Sequence, residues 1–166
     1  MHRALLALSA VVAGGVVLAP GAAAQAPAPT TLTFRALDIR TTFTIVDLPP
    51  RAPHRKGFPP GFPKRFSQGD MLVLSTPLRD SANKPFGHVR ATCFATVGGF
   101  RGARFECLGV FGLPKGQVWV TFTSSLQSSS GGGTVIGGTG AYANMHGTFV
   151  SVFTGTSSDA TLTLTP

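Results

Sequence analysis

The chain has 166 residues, 43% of them hydrophobic and only 12% charged, with a formal net charge of +8 and two cysteines. That length supports one domain with a core of its own, and the composition excludes an intrinsically disordered chain. Three histidines beyond the first few residues, with no clustered spacing, give no basis for a metal site.

Residues 1–24 read as an export signal: Arg3 is the positive head, Ala4 to Leu18 the apolar run, and Ala22-Ala23-Ala24 the cleavage site, with the cut after Ala24. A membrane anchor is the competing reading. The run is shorter than the roughly 18 to 20 apolar residues a span needs, and Gly14-Gly15 and Pro20-Gly21 break it. No cysteine follows the cleavage region to carry a lipid, and no later stretch is apolar enough to span, so a soluble secreted or periplasmic chain is expected. The short signal and the preference for Arg over Lys point to a bacterial source.

Residues 25–31 alternate Ala and Pro and read as an extended leader. Leu32 to Val46 reads as a first strand, bent midway, with Leu37, Ile39, Phe43 and Ile45 on one parity and Asp38, Arg40, Thr42 and Thr44 on the other. Pro49-Pro50 ends it, and the segment to Phe66 holds six prolines with Phe58, Phe62 and Phe66 at four-residue intervals. The prolines forbid the helix that this spacing would suggest. A long loop over 49–68 is expected instead, acting as a lid or arm with phenylalanines inward and basic groups outward.

Gly69-Asp70 opens an apolar strand, Met71 to Thr76, followed by turns at Pro77 to Asp80 and Ser81 to Lys84. Gly87 leads into Val89 to Val97, and the glycine-rich Gly98 to Gly102 joins it to Ala103 to Phe111. After a turn at Leu113 to Gly116, Gln117 to Leu126 alternates Val118, Val120 and Phe122 against Trp119, Thr121 and Thr123. Ser128 to Gly133 reads as a loop, Thr134 to Ile136 as a strand, Gly137 to Tyr142 as a glycine-rich turn, and Gly147 to Thr154 and Asp159 to Thr165 as the last strands. About eight strands with no convincing helix indicate an all-β antiparallel barrel or sandwich. Closure of eight strands would leave an interior for packed side chains or one small ligand.

In an exported chain, two cysteines read as one disulfide. A hairpin centred on Phe100 sets Cys93 opposite Cys107, within bridging distance. The competing reading is a free, reactive Cys93. The positive charge is concentrated in residues 51–66, where Arg51, His54, Arg55, Lys56, Lys64 and Arg65 meet no acid. Such a segment could contact an anionic wall polymer, lipid headgroups or nucleic acid, or it is simply a solvated loop. No groove-reading motif accompanies it, so no specific nucleic acid is expected.

Several motifs in order resemble the dirigent and allene oxide cyclase barrel superfamily over residues 32–166: Gly69-Asp70-Met71-Leu72-Val73; Gly87 then Cys93; Arg104-Phe105-Glu106; Leu113-Pro114-x-Gly116-Gln117; and Gly137-Gly138-Thr139-Gly140-x-Tyr142 with Gly147. A cysteine on each side of the central hairpin followed by Leu-Pro-x-Gly-Gln is most similar to the exported bacterial dirigent-like branch. The resemblance implies an eight-stranded antiparallel β-barrel, calycin-like, often trimeric, with a ligand cavity inside and no metal or organic cofactor. Plant dirigent proteins steer coupling of phenoxy radicals made by a separate oxidase, with an acid in the pocket; the cyclases isomerise a fatty-acid epoxide. The cyclases draw polar groups from the first strand, where this chain offers Thr42, Thr44 and Asp47 as its one acid.

Two parities compete for the lumen of the cysteine hairpin. If the polar one faces inward, Glu106, Arg90, His88 and Arg104 form a mixed-charge cluster beside Phe94 that could bind a substrate and move a proton. If the apolar one does, these charges lie outside; the small residues at 91, 93 and 95 favour that arrangement. Tyr142 and His146 flank the glycine-rich turn and are candidates for the barrel mouth, with Tyr142 alternatively packing the turn. No phosphate loop or hydrolase elbow is present. The expected function is an exported barrel that binds a small hydrophobic or phenolic molecule and steers its coupling, cyclisation or isomerisation without a cofactor. The alternatives are a non-catalytic ligand-binding barrel and a surface or wall protein acting through Arg51, Arg55, Lys56, Lys64 and Arg65.

Overall fold

The computed structural model describes residues 28–49, 65–99, 102–125 and 127–166. The segment expected to be an export signal, Phe58, Phe62 and the basic residues from 51 to 64 lie outside the described residues.

Among the described residues nine strands follow in order: β1 (Thr30–Ala36), β2 (Thr42–Val46), β3 (Met71–Arg79), β4 (Pro85–Val97), β5 (Arg104–Leu113), β6 (Gly116–Ser125), β7 (Ser130–Gly138), β8 (His146–Phe153) and β9 (Ser158–Thr165). From β3 to β9 each strand pairs antiparallel with its sequence neighbour, and β9 pairs with β1. β1 then pairs with β3 through Ala36↔Leu78 and Arg35↔Arg79, which closes the ring. β1 and β2 share one position on β3, so the sheet is a closed eight-stranded antiparallel barrel. Closure satisfies the backbone groups that an open sheet would leave at its edges.

The first strand is interrupted rather than bent. Ala36 pairs with Leu78 and Thr42 with Ser75, so five residues, Leu37 to Thr41, face only Thr76 and Pro77. Pro77 has no N–H to donate and a regular ladder cannot run past it. The surplus loops out as a 3₁₀ turn, Asp38–Arg40, anchored where the Leu37 N–H donates to Pro77 O at 3.0 Å. β1 also starts at Thr30, ahead of the expected Leu32, because Thr30 and Thr31 pair with Leu164 and Thr163. β7 runs through the stretch expected to be a loop: Gly131 pairs with Ser151 and Gly133 with Phe149. Gly133 is a glycine for close approach, since a Cβ there would run into the carbonyl oxygen of Thr121 and lie 2.6 Å from the Phe122 Cβ.

The parity with small side chains turns inward. Ala91, Cys93 and Ala95 of β4 and Phe105, Cys107 and Phe111 of β5 are buried, while His88, Arg90, Phe94, Arg104 and Glu106 are exposed on the outer wall. Cys93 and Cys107 stand opposite each other in the ladder, 4.0 Å apart at Cα, and are joined by a disulfide.

Strand direction gives the barrel a base and a mouth. At the base lie the β3–β4, β5–β6 and β7–β8 turns. There the Leu113-to-Gln117 motif and the Gly137-to-Tyr142 motif clasp each other: Ala141 N–H donates to Lys115 O at 2.9 Å, Thr139 N–H to Gln117 O at 2.8 Å, and Gln117 N–H to Thr139 Oγ1 at 3.1 Å. Above them Val118, Val120, Leu162 and Leu164 are fully buried and pack with Tyr142, Phe34 and Leu78. Each such aliphatic side chain contributes about 2 kcal/mol of transfer free energy.

At the mouth a second cluster surrounds the disulfide, with Phe66 edge-on to Phe105 at 4.9 Å. Phe66 and Gly99 exchange backbone hydrogen bonds of 3.1 and 2.8 Å, so the end of the proline-rich segment is tied to the cysteine hairpin. Asp70 is fully buried and its two carboxylate oxygens accept from Leu48 N–H at 2.8 Å and Ser67 N–H at 2.7 Å. Both feet of the 49–66 segment are therefore pinned by one side chain.

Candidate functional site

Between the packed base and the disulfide cluster the lumen stays open, as a cavity of about 420 Å³. That is the size range of sites for small organic molecules. Its apolar lining centres on phenylalanines: Phe111 lies 5.3 Å from Phe149 and Phe149 lies 5.6 Å from Phe122, ring centre to ring centre, with Leu74, Val89 and Ala91 alongside. The ring of Phe122 has room because its diagonal neighbour on the adjacent strand β5 is Gly109, where a Cβ would sit 3.2 Å from the Phe122 Cε1. Polar groups come from two places. Asp38, Thr41, Thr76 and Ser158 surround the strand break, and Ser124, Ser128, Ser129, Ser130 and Ser151 come from β6, β7, β8 and the β6–β7 connection.

Asp38 is the one ionisable side chain among the described residues lining the cavity. The 3₁₀ turn carries it out of the ladder, and Ser158 Oγ donates to its Oδ2 at 2.6 Å. Burial pushes its carboxyl above the ordinary aspartate range, and the Ser158 hydrogen bond offsets part of that rise. Beside it the Thr41 and Thr76 hydroxyls share a hydrogen bond of 2.8 Å. An aspartic acid held this way keeps its proton to higher pH than an exposed one and can donate it to an oxygen or nitrogen in the cavity.

None of the residues singled out from the sequence lines this cavity. Glu106, Arg90, His88, Phe94 and Arg104 are displaced by strand parity: their neighbours 89, 91, 93, 105 and 107 are the ones that face the lumen. Tyr142 is buried at the base, where burial pushes its phenol up, and His146 is exposed at the start of β8 at the same end. The glycine-rich turn thus seals the barrel at the end away from the cavity opening. Asp47 is half-buried just past β2 and its Oδ1 is buried without a hydrogen-bond partner among the described residues. Among the described residues no three His, Cys, Asp or Glu side chains come together as a metal site.

Asp38 was hidden by the assumption of one uninterrupted strand, which sets it on the outer parity. The signal that reveals it is a phase change: Phe34 and Ala36 face inward on even numbers, whereas Phe43 and Ile45 do so on odd ones. A strand cannot change phase without a break, and Pro77 marks where the break falls.

The fold and cavity together define a closed, ligand-sized antiparallel barrel. No protein-family model matches the sequence, and no curated protein matches it. Among solved structures, a pyocyanin demethylase superposes with a TM-score of 0.61 at 22% identity, covering 82% of this chain and 100% of its own. A pterocarpan synthase dirigent protein superposes with a TM-score of 0.62 at 13% identity, covering 93% of this chain and 98% of its own. The chain has the dirigent-like barrel fold.

Proposed function

We propose that this chain binds a small hydrophobic or phenolic molecule in the barrel lumen and steers its coupling, cyclisation or isomerisation without a cofactor. The observation that carries the reading is Asp38: a single carboxyl, raised by burial, at the polar edge of an aromatic cavity. In its acid form Asp38 donates a proton to oxygen or nitrogen as negative charge develops there, and Ser158 fixes the carboxyl for that transfer. Phe111, Phe122 and Phe149 hold the ring system in one orientation, and orientation alone can remove a substantial part of a barrier. The two superposed structures carry the names of proteins that act on small molecules, one a demethylase and one a synthase, which supports chemistry in a barrel of this kind. If the reaction is a radical coupling, a separate oxidase supplies the radicals. Export is part of the proposal, and the Cys93–Cys107 disulfide supports an oxidising compartment.

The test is calorimetric titration of the protein with a panel of one- and two-ring phenols, set beside a Ser151→Trp variant. Ser151 lines the cavity from β8 and a tryptophan there fills it. Saturable binding at one site, lost in the variant, supports the reading; no saturable binding across the panel, or equal binding by the variant, overturns it.

A further inference from the structure

A second depression lies on the outer wall beside the mouth, with a volume of about 510 Å³. Its floor follows the ladder: Glu106 stands opposite Thr123, Thr123 opposite Gly132, and Arg104 opposite Ser125, all on the outward parity of β5, β6 and β7. Gly132 brings no side chain, so the wall sinks between Thr123 and Val150, its partners on either side. This groove and the lumen are not separate. Both are lined by Ser124, Ser128, Ser130 and Gly131, so they meet over the rim at the β6–β7 connection.

The chemistry of the two halves differs. The lumen is mainly apolar, with phenylalanines at its centre, Ser and Thr hydroxyls at its edges and one carboxyl; the groove is mainly polar, with Arg104, Glu106, Thr96, Thr123 and Ser125 on its walls. The ion pair found among the described residues joins Arg35 to Asp159, and the Arg104 and Glu106 side chains are left free to meet a ligand. A phosphate in the groove would meet the Glu106 carboxylate, and a cation would meet Arg104. A neutral polyol satisfies both, because adjacent hydroxyls donate to a carboxylate and accept from a guanidinium.

We infer that the ligand is a two-part molecule, an aromatic ring system in the lumen joined to a sugar or similar polyol that crosses the Ser128–Ser130 rim into the Arg104–Glu106 groove. This rests on the lumen being the ligand site, as proposed above. It gives Arg104 and Glu106 a binding role from outside the barrel, where their strand parity puts them.

The test compares 2-naphthol with 2-naphthyl β-D-glucopyranoside by calorimetry on the full chain, in the wild type and in Glu106→Ala and Thr123→Trp variants. The glucoside is expected to bind the wild type about tenfold more tightly than the naphthol, from a few hydrogen bonds to charged groups in an exposed groove. Each variant, one by deleting an acceptor and one by filling the groove, is expected to bring the ratio of the two affinities to one or below. A wild-type ratio at or below one, or a ratio that survives both substitutions, overturns the inference while leaving the lumen site standing. Failure of both compounds to bind overturns the inference and the lumen site together.

Discussion

Replacing Cys93 and Cys107 together by Ala removes a covalent link between β4 and β5 across a sequence separation of 14. In the unfolded chain that link closes a ring of about 15 residues, for which loop-closure entropy gives about 3 kcal/mol of stabilisation. Both side chains are buried, 3% and 5% exposed, so losing two sulfurs from the mouth cluster adds about 1 kcal/mol. The native hairpin does not depend on the link to hold its register, since its ladder runs from His88↔Gly112 to Val97↔Arg104 and the Phe66–Gly99 bridge ties its tip. The double variant is therefore expected to fold, with a loss of about 4 kcal/mol and a Tm lower by roughly 12 °C, at about 3 °C per kcal/mol for a domain of this size. Its urea m-value should rise, because the unfolded chain is no longer cross-linked and exposes more surface. Urea and thermal unfolding of both proteins measure each quantity. A loss under about 1 kcal/mol with an unchanged m-value would refute the argument that the link acts by restricting the unfolded chain.

Asp38→Asn tests the raised carboxyl through pH. Because burial raises its folded-state pKa, the folded protein holds that proton more tightly than the unfolded chain; the contribution to stability is fully present below the ordinary aspartate pKa and is lost as pH rises through the folded value. Urea midpoints from pH 3 to pH 7 should fall with rising pH more steeply in the wild type than in the variant, and parallel profiles would count against it. Gly147→Ala should cost about 2 to 3 kcal/mol or more in urea unfolding, since φ is +147° and a Cβ would run into the Thr163 carbonyl oxygen on β9. A near-neutral result would mean that β8 and β9 shift freely there. Tyr142→Phe is expected to change stability by less than about 1 kcal/mol while Tyr142→Ala costs about 3 to 5, because Tyr142 packs the base and donates no side-chain hydrogen bond among the described residues. A large loss in the Phe variant would show that the hydroxyl matters.

Much of the barrel was legible because its elements are set by local rules. The hairpin register that puts Cys93 against Cys107 follows from counting outward from Phe100, and the ladder has that register. The small residues at 91, 93 and 95 mark the crowded side of β4, and that side is the buried one. What stayed hidden depends on long-range pairing. Gly131 to Gly133 look like a loop in isolation; they are strand because they pair with Ser151, Val150 and Phe149 of β8, and at Gly133 the Thr121 carbonyl of β6 approaches too closely for a side chain. The glycine-rich turn with Tyr142 draws the eye as a site, yet its side chains close the base. Asp38 was illegible for the opposite reason: an ordinary-looking strand residue becomes the cavity's acid only because Pro77, about 40 residues later in the chain, breaks the ladder opposite it. The cavity itself is a sum over eight strands, and no local pattern announces it.

The most direct measurement is a crystal structure of the protein soaked with 2-naphthol. Bound ligand stacked between Phe111, Phe122 and Phe149, with its hydroxyl within hydrogen-bond distance of Asp38, is the result this account predicts. A lumen closed by movement of those phenylalanines, or a ligand bound elsewhere with the cavity empty, would contradict it.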